Sequence, residues 1–180
     1  ECAGTALPGY ELRIVDPATL QPLPAGQIGE LQGRGPMVMQ GYYKKPDDTA
    51  ETIIAGGWLR SGDLGFFTDT GHLVIAGGRL RDMIIRGGEN IYPAEIENLL
   101  QAHPAVAGVA VFGLADTHYG EIVAAAVKLS VPVAAAALQA HCAARIAKFK
   151  VPAVIYAVES FPLTPSGKIR KVELRQWAAE

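Results

Sequence analysis

Gly78-Arg-Leu-Arg-Asp-Met-Ile-Ile-Arg-Gly-Gly-Glu-Asn-Ile-Tyr-Pro-Ala-Glu-Ile-Glu97 is the stretch in which the character of the chain changes. Within it, Met83–Ile85 is a short apolar run that reads as a strand. Pro93 opens a helix, because its fixed φ suits the first helical position and Glu95 and Glu97 favour the positive end of the helix dipole. Ile96, Leu99 and Leu100 then fall at helical spacing and predict the buried stripe. C-terminal of this stretch, helix and strand alternate. Val106–Phe112 and Ile122–Leu129 read as strands of small and β-branched residues, and Ala134–Ala147 as a helix with Leu138, Cys142 and Ile146 on one face. Val154–Val158 is a further strand and Val172–Ala179 a closing helix.

N-terminal of the same stretch the pattern is β. Tyr10–Val15 alternates as a half-buried strand should, and Ile28–Arg34 predicts a second. Strands near Trp58–Phe67 and His72–Ile75 are joined by Thr68-Asp-Thr-Gly71, which has hairpin-turn chemistry. Asp16–Gly26 reads as a long turn, Pro46–Ile54 as a short helix, and the opening Glu1-Cys2-Ala3-Gly4 as a polar turn. The expected fold class is therefore α+β. An antiparallel β-rich segment over 1–80 precedes a small α+β domain over 81–180, ordered β-α-β-β-α-β with a helical tail.

Composition narrows the functional classes. With 49% apolar and 19% charged residues in 180, the chain reads as globular rather than disordered. A formal net charge of -2 offers no basic face for nucleic acid, and no apolar run reaches membrane-spanning length. Cys2 and Cys142 have neither metal nor redox spacing, so both are expected as free thiols in a reducing, cytoplasmic setting. The chain opens without Met and without a signal segment, and reads as a piece of a longer protein.

Generic chemical signatures fail one by one. Ser166-Gly167-Lys168 looks like the end of a phosphate-binding loop, but Pro162 stands where its first Gly belongs and Ile169 where Ser or Thr would hold magnesium. Gly33-x-Gly35 runs on to Val38, which breaks the dinucleotide fingerprint. His72, His103, His118 and His141 have no zinc-ligand spacing, so surface or capping roles are expected of them and no metal site is assigned. A Gly-x-Ser-x-Gly elbow is absent.

Four segments taken in order are informative: Gly29-Glu-Leu-Gln-Gly-Arg-Gly-Pro-Met-Val-Met-Gln-Gly-Tyr42, Trp58-Leu-Arg-Ser-Gly-Asp-Leu64, the Gly78–Glu97 stretch, and Phe161-Pro-Leu-Thr-Pro-Ser-Gly-Lys-Ile-Arg170. Together they resemble the adenylate-forming superfamily, which holds acyl-CoA synthetases, peptide-synthetase adenylation domains and firefly-type luciferases. Ser61 stands where that family usually has Thr, and Ile85 where several members have Lys.

The resemblance implies that residues 1–80 close a large adenylation domain and residues 81–180 form its mobile C-terminal cap. It implies ATP with Mg2+, CoA and a carboxylic acid as substrates, with most of the ATP and acid site upstream of Glu1, so that the chain alone is expected to be inactive. Asp63 would accept both ribose hydroxyls, a task that suits a two-oxygen acceptor. Arg79 would contact the ribose and phosphate side through its fixed fork. Asn90 would reach the nucleotide. Arg81 would be the hinge, loosened by Gly77 and Gly78 before it. Gly87 and Gly88 would let pantetheine pass close to backbone, or else form a plain β-turn. Lys168 would be the catalytic lysine, meeting the carboxylate and α-phosphate during adenylation. Ile84–Pro93 resembles CoA ligases of fatty or aryl acids most. A carrier-protein-loading enzyme and a non-catalytic interaction module are the alternatives, the second disfavoured because a scaffold needs none of Asp63, Arg79 and Lys168.

Overall fold

In the computed structural model, which describes residues 2–179, the alternating stretches of the first part become β1 (Cys2–Gly4), β2 (Glu11–Val15) and β3 (Gly29–Arg34). After helix α1 (Pro46–Thr52) come β4 (Ile53–Ile54), β5 (Trp58–Phe67) and β6 (Leu73–Arg79). They make one antiparallel sheet in the order β1-β6-β5-β3-β2, with β4 also on β5. The opening residues are thus a strand and not the expected polar turn: Cys2 and Gly4 pair with Val74 and Leu73. Exposed small residues carry no apolar alternation there, and only the free edge of β6 recruits them. Ile14, Val15, Leu64 and Leu73 are the buried apolar residues of this sheet, and beside them lies a buried charge, Glu30, at 1% exposure. Arg60 answers it with Nη2 and Nε both 3.0 Å from one carboxylate oxygen. A buried carboxylate left without such a partner costs several kcal/mol.

The second part carries β7 (Ile84–Arg86), β8 (Glu89–Ile91), α2 (Pro93–Gln101), β9 (Val106–Asp116), β10 (Gly120–Leu129), α3 (Ala135–Ala143), β11 (Val154–Ala157) and α4 (Lys171–Ala178). β9 and β10 form a long antiparallel hairpin, β11 joins β10 in parallel, and β7 meets β10 at Arg86↔Gly120. One face of this sheet, including Val111, Val123, Ala125 and Val127, packs with Ile96 and Leu100 of α2 and Leu138 and Cys142 of α3. The other face, Ala110, Phe112, Ala124 and Ala126, packs with Leu174 of α4. Covered on both sides, Val123–Val127 is buried without interruption, which is why the run has no polar alternation. Each large side chain sunk in such a core contributes about 1.5–3 kcal/mol.

Two details depart from expectation. The α3 helix stops at Ala143 instead of Ala147, because the chain must turn through Lys148–Lys150 and be extended at Val151, the residue before Pro152. Strand β8 follows β7 after only two residues. The chain divides into two compact units, Glu1–Arg81 and Asp82–Glu180. Among the described residues no helix is long and apolar enough to cross a membrane.

Candidate functional site

In the first unit the expected residues Asp63 and Arg79 are brought together by irregular sheet geometry. Between the pairs Gln32↔Arg60 and Glu30↔Leu64, β5 carries Ser61-Gly62-Asp63 past Leu31 alone. Between Gly65↔Ile75 and Asp63↔Arg79, β6 carries Ala76-Gly77-Gly78 past Leu64 alone. The two bulges lie side by side, and Gly62, Gly77 and Gly78 take the positive φ (70°, 82° and 80°) that they need. Ser61 clasps the first bulge: its hydroxyl donates to Leu31 O at 2.7 Å and accepts from Asp63 N–H at 3.0 Å. Asp63 Oδ1 and Arg79 Nε then stand 3.3 Å apart, with side chains 40% and 52% exposed. A half-exposed pair of this kind adds little stability. Its chemical use is to present a carboxylate acceptor and a cationic fork side by side. Arg60, Ser61 and Arg79 also line an open cavity of about 700 Å³ with Tyr10, Leu31 and Met39.

Arg81 is the last residue of this unit and lies in a 3-10 turn, Leu80–Asp82, with its side chain exposed. In the second unit, Gly87 and Gly88 are the two-residue turn of the β7–β8 hairpin, closed by Arg86↔Glu89. Both have positive φ (58° and 86°), the requirement of the turn whose twist matches paired strands. The plain turn is therefore present, and β8 beside it is unannounced in the sequence because a three-residue strand carries no periodicity of its own. Asn90 sits on the same hairpin, exposed and opposite Ile85.

Beside Gly87 lies an open cavity of about 810 Å³ whose lining includes Arg86, Tyr119, Gln139, Lys148 and Phe149. None of these five stands out in the sequence. Arg86 stacks over Tyr119, 4.5 Å from the ring centre, and donates from Nη1 to Phe149 O at 2.8 Å. Tyr119 is carried by a turn in which Asp116 Oδ1 accepts the N–H groups of Tyr119 (2.8 Å) and His118 (2.9 Å). Those bonds, Tyr119 first, hold the Asp116 carboxyl below its ordinary value against a smaller opposing effect of burial. The Asp116-x-x-Tyr119-Gly120 spacing is the one local signal that points here.

Lys168 lies on a separate hairpin, exposed, bridged at Leu163↔Ile169. Thr164 ties the loop: its N–H donates to Lys168 O at 2.8 Å, and its hydroxyl accepts from Lys168 N–H at 3.0 Å. The histidines are accounted for locally. His72 meets Thr70, His103 Nδ1 accepts from Ala105 N–H, His141 contacts Leu99 O, and the His118 ring packs edge-on against Tyr119. Cys2 is exposed and Cys142 buried, both free, and burial pushes the Cys142 thiol up. Among the described residues no group of three His, Cys, Asp or Glu could hold a metal ion.

A bulged antiparallel sheet offering an aspartate, joined in sequence to an α+β unit with a glycine hairpin and a Ser-Gly-Lys loop, is the C-terminal architecture of adenylate-forming enzymes. Comparison with known proteins bears on this directly. The model of the AMP-binding enzymes matches residues 1–43, and that of the AMP-binding enzyme C-terminal domain matches residues 95–168. The chain belongs to this family and corresponds to its C-terminal part. It is 46% identical over 182 aligned positions to YngI of Bacillus subtilis (strain 168), whose name places it provisionally among acyl-CoA synthetases, covering all of this chain and 33% of that protein. It is 42% identical to the mitochondrial medium-chain acyl-CoA ligase ACSF2 of Mus musculus, over 96% of this chain and 28% of that one. The crystal structure of ATP-bound MatB from Rhodopseudomonas palustris superposes with a TM-score of 0.91 at 35% identity, over 99% of this chain and 36% of that one. The chain thus spans about a third of the length of the relatives it matches.

Proposed function

We propose that the intact protein carrying this chain is an ATP-dependent ligase that joins a fatty or aryl carboxylic acid to CoA through an acyl-adenylate. A carboxylate oxygen attacks the α-phosphorus of Mg2+-bound ATP and pyrophosphate leaves. The CoA sulfur then attacks the acyl carbon, AMP leaves, and the thiol proton passes to solvent. Asp63 accepts the two ribose hydroxyls, Arg79 holds the ribose and phosphate side, and Asn90 approaches the nucleotide. Lys168 neutralises charge gathering between carboxylate and α-phosphate. Residues 1–80 close the adenylation domain, 81–180 form the cap, and Arg81 is the hinge between the two half-reactions. We place the enzyme in the cytoplasm, where an exposed Cys2 stays reduced.

The observation that carries this reading is the Asp63–Arg79 pair on its double bulge. Two adjacent irregularities and three positive-φ glycines are a costly way to build a sheet edge, and an exposed ion pair gains little from them. CoA as acceptor is supported by the cavity beside Gly87, which offers cations from Arg86 and Lys148 for phosphates and rings from Tyr119 and Phe149 for a flat base. The test is ATP–pyrophosphate exchange by the intact protein across a panel of carboxylic acids, followed by mass detection of the product. An acyl-CoA is expected. Exchange followed by loading of a phosphopantetheinyl carrier, with no acyl-CoA, would favour the carrier-loading alternative, and no exchange with any acid would leave the interaction module.

A further inference from the structure

We propose that Lys171, through its ion pair with Glu97, is the positioning residue that holds the Lys168 hairpin in place for adenylation. This rests on the reading of Lys168 given above. The hairpin's own bonds are internal: the Leu163↔Ile169 bridge, the Thr164 contacts, and Arg170 N–H to Pro162 O at 2.8 Å. None of these bonds ties it to the sheet, and the packing of Ile169 near Phe112 is apolar and non-directional. The flanking residues supply the anchors. On the way in, the Phe161 ring fills the space left by Gly108 on β9, 3.0 Å from where a Cβ would stand. On the way out, α4 begins at Lys171, three residues after Lys168, and its Nζ lies 2.7 Å from Glu97 Oε1.

That ion pair differs from the other one at the start of α4. Its side chains are only 15% and 23% exposed, whereas Arg170 and Glu173 are 52% and 38% exposed. The Glu97 oxygen that meets Lys171 also accepts the N–H of Val111 at 2.8 Å. One carboxylate therefore joins α2, β9 and the first residue of α4. A cation at a helix N-terminus works against the helix dipole, so helix stability gives no reason for a lysine at that position. Leu174 docks α4 by a non-directional contact; the Lys171–Glu97 bond fixes where the helix starts, and hence where the lysine loop ends.

The test is a rapid-quench comparison of the two half-reactions in the intact enzyme. Lys171→Met keeps the stem and removes the charge. It should slow acyl-adenylate formation roughly 10–100-fold, the penalty of a displaced reacting group. Thioester formation from preformed acyl-adenylate and CoA should be unchanged. Lys171→Arg should restore most of the lost rate. Glu97→Gln, which keeps an acceptor for Val111, should reproduce the split, and combining it with Lys171→Met should cost little more than either alone. A Lys171→Met enzyme slowed in neither half-reaction, or in both alike, overturns the proposal, and if that variant unfolds, Glu97→Gln decides by the same criterion. Lys168→Ala is the control. If it leaves adenylation intact, the reading of Lys168 fails and this inference with it. If it blocks adenylation, that reading holds, and the Lys171 and Glu97 variants decide the positioning role by themselves.

Discussion

Asp63 and Lys168 are presented by opposite means. Asp63 is held within a sheet: its neighbours on both sides are ladder residues, Ser61 clasps its bulge, and Arg79 faces it across a register pair. Lys168 stands on an exposed hairpin whose bonds come from the loop itself. A group that binds the same part of a nucleotide throughout gains from a rigid frame, since preorganisation lowers the entropy lost on binding. A group needed for one step of two is better carried on a part that can be withdrawn. The contrast is therefore one of timing, and kinetics can break it or sharpen it.

The largest effect is expected at Lys168. In the intact enzyme Lys168→Ala should slow adenylation by about 10²–10³, the usual cost of removing one preorganised charge from a developing anion. Thioester formation from preformed adenylate should proceed as before. Asp63→Asn should act in both half-reactions, because the ribose stays bound in each. Charge-assisted hydrogen bonds contribute about 1.5–3 kcal/mol, so the affinity for ATP and for acyl-adenylate should fall together, roughly 10–100-fold by equilibrium titration. If Asp63 proved specific to one step and Lys168 common to both, the contrast would be reversed.

Arg81→Pro is expected to separate the steps in the other direction, since proline restricts the backbone where reorientation would occur. Stopped-flow assays should show transfer to CoA slowed more than adenylation; equal loss in both would remove Arg81 from the hinge role. A smaller effect is expected from Gly62→Ala, where a Cβ meets no atom within 4 Å but φ is +70°. Strain alone should lower stability by about 1–2 kcal/mol, read as a lower melting temperature with nucleotide affinity partly retained. The smallest effect belongs to Asp116→Ala, which loosens the turn under Tyr119 and should raise the KM for CoA modestly. The sign of its pH dependence is fixed. The folded carboxyl lies below the ordinary value of 3.8, so its contribution is present above that pH and fades as pH falls through the folded value. The alanine variant should lose this dependence in acid-melting curves.

Sequence determined the parts of this protein whose signals are local. Pro93 with its acidic turn placed α2, the Trp58–Phe67 run placed β5, and the order of four motifs placed the family, with Asp63, Arg79 and Lys168 as its candidate residues. Only the tertiary structure decided the rest. Val123–Val127 reads equally well as a strand covered on one face or on both, and the packing of α2 and α3 against one side and α4 against the other settles it. Periodicity cannot announce a bulge, so nothing in Trp58–Phe67 or Leu73–Arg79 foretold that two irregular strands would set Asp63 against Arg79. The cavity beside Gly87 gathers Arg86, Tyr119, Lys148 and Phe149 from places far apart in the chain, and Glu97 meets Lys171 across 74 positions. Such groups are invisible one at a time: each is an ordinary charge or ring in sequence, and it acquires a chemical role only when burial and the sheet bring its partner within reach.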